Sequence, residues 1–146
     1  MKTFYSLVFS PIMILLLLAT PAISSSDWVE YGKSKNGDIY SYHPGSIKQK
    51  SKDIVYVWVK LVFSDRGRKD YINRLEKNGE LTEGYDKLSH TLSLVEIDKK
   101  RSKLRILYGL EYDMDDKELF RGSHDAPWKD ILPDSTEDIL RKNILK

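Results

Sequence analysis

The chain has no cysteine, which excludes disulfide bonds and thiol catalysis together. Whatever fold it adopts must be held by its core. Its 3 histidines, His43, His90 and His124, stand far apart, and none falls in a His-Glu-x-x-His or related metal-ligand spacing. Neither sign of charge dominates: 24 Lys and Arg balance 22 Asp and Glu for a net charge of +2. That removes the strongly basic face a nucleic-acid partner would require. Ser135 is not set in a Gly-x-Ser-x-Gly turn, so it suits a helix cap better than a nucleophile. Internal repeats and low-complexity tracts are lacking too. No catalytic constellation emerges, and neither a cofactor nor a metal is expected.

The first part of the 146 residues reads as targeting rather than fold. Lys2 supplies a short positive start, residues 11–19 are apolar, and Ala22-Ile23-Ser24 offers a small-x-small cleavage site. The apolar run is shorter than the roughly 20 residues a transmembrane helix needs. Residues 1–24 are therefore expected to be a cleaved secretory signal. Left uncleaved, the segment would be the chain's membrane contact. Residues 25–146 are expected to form one domain, large enough to stand without cross-links, exported to the periplasm or the cell surface.

The densest signal in that domain is the stretch 53–63, in which nine of eleven residues are β-branched, aromatic or leucine. Val55, Val57, Val59, Leu61 and Phe63 share one wholly apolar face, while Ile54, Tyr56, Trp58, Lys60 and Val62 share the other. A strand apolar on both faces is expected in the middle of a sheet with cover on each side. Before it, residues 27–33 and 39–42 alternate around Asn36-Gly37, a hairpin signal. After it, residues 65–79 read either as a short amphipathic helix or as a loop. Residues 90–97 and 104–112 form a second hairpin, with Leu104, Ile106, Tyr108, Leu110 and Tyr112 on one unbroken apolar face and Arg105, Leu107, Gly109 and Glu111 opposite. A turn at 113–116 leads to a last strand at 117–122. Two N-caps precede the final helix, Asp134 with Glu137 or Ser135 with Asp138. Its stripe of Ile139, Leu140, Ile144 and Leu145 is expected to lie on the Tyr56 and Trp58 face. The architecture implied is α+β: one curled antiparallel sheet of about six strands with a C-terminal helix packed on one face.

Several residues in this order carry a family resemblance. They are Trp28; Tyr40 and Ser46-Ile47; Val55, Trp58 and Lys60; Glu96-Ile97-Asp98 before Arg101-Ser102-Lys103-Leu104-Arg105; Tyr112-Asp113; and Trp128, Ile131, Pro133 and Ser135 before the last helix. The chain thereby resembles the surface-adhesin protein E-like domains of Gram-negative bacteria, over nearly all of residues 25–146. The resemblance implies an antiparallel sheet with a C-terminal helix, export, and a binding rather than a catalytic role. Such domains commonly carry two cysteines presumed to pair, near the positions of Lys99 and of residues 143–146 here. Both are missing together, so the last helix is left to packing alone.

Lys99, Lys100, Arg101, Lys103 and Arg105 place five cations in seven residues on a hairpin tip. They form the candidate site for an anionic glycan or an acidic envelope or extracellular protein, set against a solvated turn that blunts a sheet edge. Asp113, Asp115, Asp116 and Glu118 fail the EF-hand spacing, because Lys117 and His124 fall at ligand positions; a polar turn is expected. Trp28, Trp58 and Trp128 are expected as core anchors rather than as an aromatic ligand patch. A second functional class stays open, a periplasmic domain binding a small apolar ligand between helix and sheet. A cavity lined by Tyr56, Trp58 and Tyr108 would be its mark.

Overall fold

The computed structural model describes residues 27–124 and 126–146; the expected signal at 1–24 lies outside them. The eleven-residue stretch becomes β4 (Ile54–Val62), the strand around which the rest assembles. In chain order β1 (Val29–Lys33), β2 (Ile39–Tyr42) and β3 (Lys48–Gln49) precede it. Helix α1 (Asp65–Lys77), β5 (Leu88–Asp98), β6 (Lys103–Asp113), β7 (Glu118–Ser123), β8 (Lys129–Asp130) and α2 (Thr136–Ile144) follow. The strands form one antiparallel sheet of 8, with β1-β2-β4-β5-β6-β7 as its path and the two-residue β3 and β8 beside β4 and β6. The expected α+β architecture with a C-terminal helix is therefore present, and residues 65–77 take the helical alternative.

One edge of β4 is shared end to end by two strands: β2 pairs with Val59–Val62, and β3 with Val55 and Tyr56. Between them the chain makes a 3-10 turn at Pro44–Ser46. There the main chain of Trp58 keeps its partners, because its N–H donates to Ser46 Oγ at 2.9 Å and its carbonyl accepts from His43 N–H at 3.0 Å. At the Asn36-Gly37 loop only Gly37 takes positive φ, at 93°.

The two faces of β4 are not treated alike. Val57 is 0 % exposed, and with Val55, Val59, Val95, Ile97, Ile131 and Leu140 it forms the main core. Each such side chain stabilises by roughly 1.5–3 kcal/mol on burial. Leu140 belongs to α2, so the helix lies on the valine face and not on the Tyr56 and Trp58 face expected for it. The physical reason is charge. The far face carries Lys60 and the cations Lys50 and Arg105, which pair with the buried Glu96 carboxylate, and covering those cations with a helix would strip them of water. A second cluster, Phe63, Tyr85 and Leu88 with Leu61, Tyr71, Ile72 and Leu75, seats α1 further along the same inner face. Both helices thus share one side of the sheet, and the expected cover on each side is found on one only. Ser135, not Asp134, caps α2, its hydroxyl accepting from Asp138 N–H.

Asp38 fastens the start of α1 to the sheet. It is 7 % exposed; its Oδ2 accepts from Ser34 Oγ at 2.9 Å, and its Oδ1 accepts from Ser64 N–H at 2.9 Å. Ser64 in turn caps α1 by accepting from Gly67 N–H. A Cβ on Gly67 would stand 1.8 Å from Asp38 Oδ1, and the carboxylate, held from two sides, has nowhere to go. Gly67→Ala is expected to lower stability by about 2–3 kcal/mol, as overpacking does. Urea unfolding should also show Asp38→Ala with Gly67→Ala to be less destabilised than the two single costs summed. Plain additivity would mean that the glycine is needed for some other reason.

Candidate functional site

Between the two helices, the inner face of the sheet is left uncovered along a cleft of about 300 Å³. It exists because its floor is low. One row across the strands runs Val59, Ser93, Gly109, and the next runs Leu61, Thr91, Glu111. Small residues in the first row leave space where larger ones would touch the helices. Gly109 also makes room for His124, whose Nε2 would lie 2.8 Å from a Cβ at that position. Thr136, Glu137 and Leu140 line the cleft from α2, Tyr71 lines it from α1, and Tyr31 and Tyr40 line it from β1 and β2.

A β-bulge decides which side chains reach this floor. Val95 pairs with Ile106 but Leu94 pairs with Tyr108, so Leu107 is an extra residue in β6. Past it the strand turns over. Leu104 and Ile106 face inward, then Gly109 and Glu111 take the inner positions, while Tyr108 and Tyr112 pair with outer-face residues of β5. The unbroken face expected from Leu104 to Tyr112 is in fact split, and Glu111, expected opposite it, points inward.

Glu111 is the most unusual group of the cleft. It is 9 % exposed, its Oε1 accepts from the Tyr71 hydroxyl, and its Oε2 has no hydrogen-bond partner. Burial pushes the Tyr71 and Tyr85 hydroxyls well above their ordinary range, and the Glu111 carboxylate adds to both shifts. Tyr31 and Tyr40 are raised chiefly by burial as well, with Glu137 contributing. All four hydroxyls therefore keep their protons at neutral pH. The cleft combines apolar walls with a few polar groups, the arrangement of a small-molecule site at the lower end of the usual size range.

The outer face holds a smaller depression. Trp58 meets Tyr108 edge-on, ring centroids 6.4 Å apart. Tyr56 and Trp58 line a depression of about 250 Å³ with His43, Ser46, Lys48 and Leu94. The expected cavity of Tyr56, Trp58 and Tyr108 is thus replaced by the cleft on the opposite face. The three tryptophans are not in the buried core: Trp58 lies on the outer face, Trp28 stands edge-on to His43, and Trp128 lies under Arg105.

The basic hairpin is brought together as one turn between β5 and β6, but much of its charge is engaged. Arg105 Nε donates to Glu96 Oε2 at 2.6 Å, Arg101 Nε donates to Asp98 Oδ2 at 2.6 Å, and Lys103 Nζ lies 3.2 Å from Asp130. Arg105 and Arg101 also sit 4.7 and 5.9 Å from the Trp128 ring centre. Lys99 and Lys100 make no ion pair among the described residues. At the next turn Asp113 Oδ1 accepts from the N–H groups of Asp115 and Lys117, closing the polar turn expected there.

No family model matches the chain, and no curated protein does. Among solved structures, the crystal structure of protein E from non-typeable Haemophilus influenzae is similar at 13 % sequence identity and a TM-score of 0.47. The match covers 86 % of this chain and 79 % of that one, a distant structural resemblance.

Proposed function

We propose that the chain is a non-enzymatic binding domain of the bacterial envelope, and that its site is the inner cleft, which takes a small ligand with an apolar body. The observation that carries this reading is the gap itself. Two helices cover the same sheet face, yet Val59, Leu61, Phe63 and Val95 still line a space of about 300 Å³ between them. Apolar side chains facing a groove of that size gain by covering it with apolar matter. Export to the periplasm or cell surface belongs to the same proposal and rests on the apolar N-terminal run. An anionic glycan or acidic protein partner held by Lys99, Lys100, Arg101, Lys103 and Arg105 draws less support, since three of the five already face carboxylates.

The test uses N-phenyl-1-naphthylamine, a neutral dye that brightens in apolar surroundings, added to protein purified from cells expressing the full chain. Saturable brightening is expected. Ser93→Trp, which fills the cleft floor, should weaken binding about tenfold or more, a loss of some 1.4 kcal/mol. Tyr56→Ser on the outer face should leave it within about twofold, under 0.5 kcal/mol. Equal binding by all three proteins would place the dye elsewhere and overturn the reading.

A further inference from the structure

The cleft carries a sign of charge that the chain as a whole does not. Among the described residues lining it, the carboxylates of Glu111 and Glu137 are the formal charges, and neither lysine nor arginine takes part. This holds in a chain with 24 Lys and Arg. The outer face offers the contrast: there Glu96 is matched by Lys50 and Arg105. Glu111 has no such cation; the Tyr71 hydroxyl donates to Oε1, the Tyr85 hydroxyl also reaches the carboxylate, and Oε2 is left without a hydrogen-bond partner. A buried carboxylate oxygen without a partner is costly, and it is rare in native structures without a reason.

We infer that the cleft selects amphiphilic amines, with the apolar body against Val59, Leu61 and Val95 and a protonated amino group donating to Glu111 Oε2. The inference rests on the cleft being the ligand site and adds the chemical class. An ammonium supplies both what the oxygen lacks: a donor, and a charge opposite to its own, which makes the stronger kind of hydrogen bond. A carboxylate ligand of the same length would bring like charge toward Glu111 and Glu137, and although Arg74 lies over the Tyr71 ring and His124 lines the cleft, neither a lysine nor an arginine lines it to receive that charge. A neutral alcohol would supply the donor without the charge and falls between. Tyr85, whose hydroxyl also hydrogen-bonds the Glu111 carboxylate, is the protein group that would yield to the incoming amine.

Displacement of N-phenyl-1-naphthylamine at pH 7 by decylamine, decanol and decanoate tests this without any variant. Decylamine is expected to displace at a concentration about tenfold or more below that of decanoate, with decanol between. Glu111→Gln, which keeps an acceptor for Tyr71, should bring decylamine to within about twofold of decanol. Glu137→Gln, at the start of α2, should narrow the gap less. Decanoate displacing as well as decylamine would overturn the amine selection while leaving the cleft as the site. Dye that binds and that none of the three displaces would overturn both. If Glu111→Gln does not fold, the order of the three ligands on the unaltered protein still decides.

Discussion

Removing both cations from Glu96, by Lys50→Met with Arg105→Met, is expected to cost about 3–5 kcal/mol at pH 7, the usual penalty for stranding a buried charge. The side chain of Glu96 is 2 % exposed, and its two oxygens face Lys50 Nζ at 3.0 Å and Arg105 Nε at 2.6 Å. Desolvation is the largest influence on this carboxyl and acts to raise its pKa, but the two cations together reverse it and hold it below the ordinary range. The pH dependence separates the proteins by sign. In the unaltered chain the carboxyl is depressed, so its contribution is complete above the unfolded value of about 4.3 and is lost as pH falls through the folded value. Asp98 and Asp138 are depressed likewise, Asp98 chiefly by the Arg101 N–H and Asp138 chiefly by Lys142. The unaltered protein should therefore weaken below about pH 4. In the double variant desolvation acts alone and raises the carboxyl, so the penalty is greatest at neutral pH and shrinks as acid protonates it. Urea midpoints at pH 7 and pH 4.5 should converge, and adding Glu96→Gln should restore most of the loss at pH 7. A gap that stays constant with pH would show that packing of the long side chains, not charge, is what was lost.

Leu140→Ala should be comparably severe, at about 3–4 kcal/mol, within the range for a leucine cut back in a closed core. Leu140 is 2 % exposed and belongs to the cluster of Val55, Val57, Val59, Val95 and Ile97. Its neighbours in the sequence help little, since Ile139 and Leu145 are 37 % and 40 % exposed. An isolated helix of 9 residues is marginal in water, and no disulfide retains this one, so docking of α2 rests on Leu140 together with the partly buried Ile144, which packs against the same cluster. Leu140 also lines the cleft, so a folded Leu140→Ala protein should bind the naphthylamine dye with altered affinity. Ile139→Ala, on the exposed side, should cost under about 1 kcal/mol by the area it still buries. Equal losses at 139 and 140 would contradict the docking described.

Period-two alternation and turn residues carried most of the fold, because the central strands β4, β5 and β6 are long, at 9, 11 and 11 residues. The position of α2 was the first thing they could not supply. Both faces of β4 are apolar in sequence, and what separates them is the ion group around Glu96, whose members come from β5, β6 and the segment before β4. The cleft was the second. Alternation assumes an unbroken strand, and one extra residue at Leu107 exchanges the faces of everything after it. The polar set Gly109 and Glu111 thereby moves inward, and the aromatic set Tyr108 and Tyr112 moves outward. A hint was available: Gly109 and Glu111, two apart, interrupt the otherwise apolar run from Ile106 to Tyr112. The tryptophans misled for a similar reason, since their size suggests interior positions, while their indole rings here serve as flat supports for Arg105 and Lys60. The basic hairpin was legible as a cluster but not as a neutralised one, because Asp130 and Glu96 approach it only through pairing of β8 and β5 with β6.

The divided strand borders have a consequence for self-association. Main-chain groups at the rim of the sheet belong to β1 and β7, of 5 and 6 residues, and to β3 and β8, of 2 residues each. The pairings of β1 and of β7 both contain an irregularity, at Glu30/Gly32 and at Glu111/Tyr112. A foreign strand seeking a template finds short, bent runs of unpaired amides, a form that resists fibril growth. Concentrated solutions of the folded domain should stay free of cross-β aggregates.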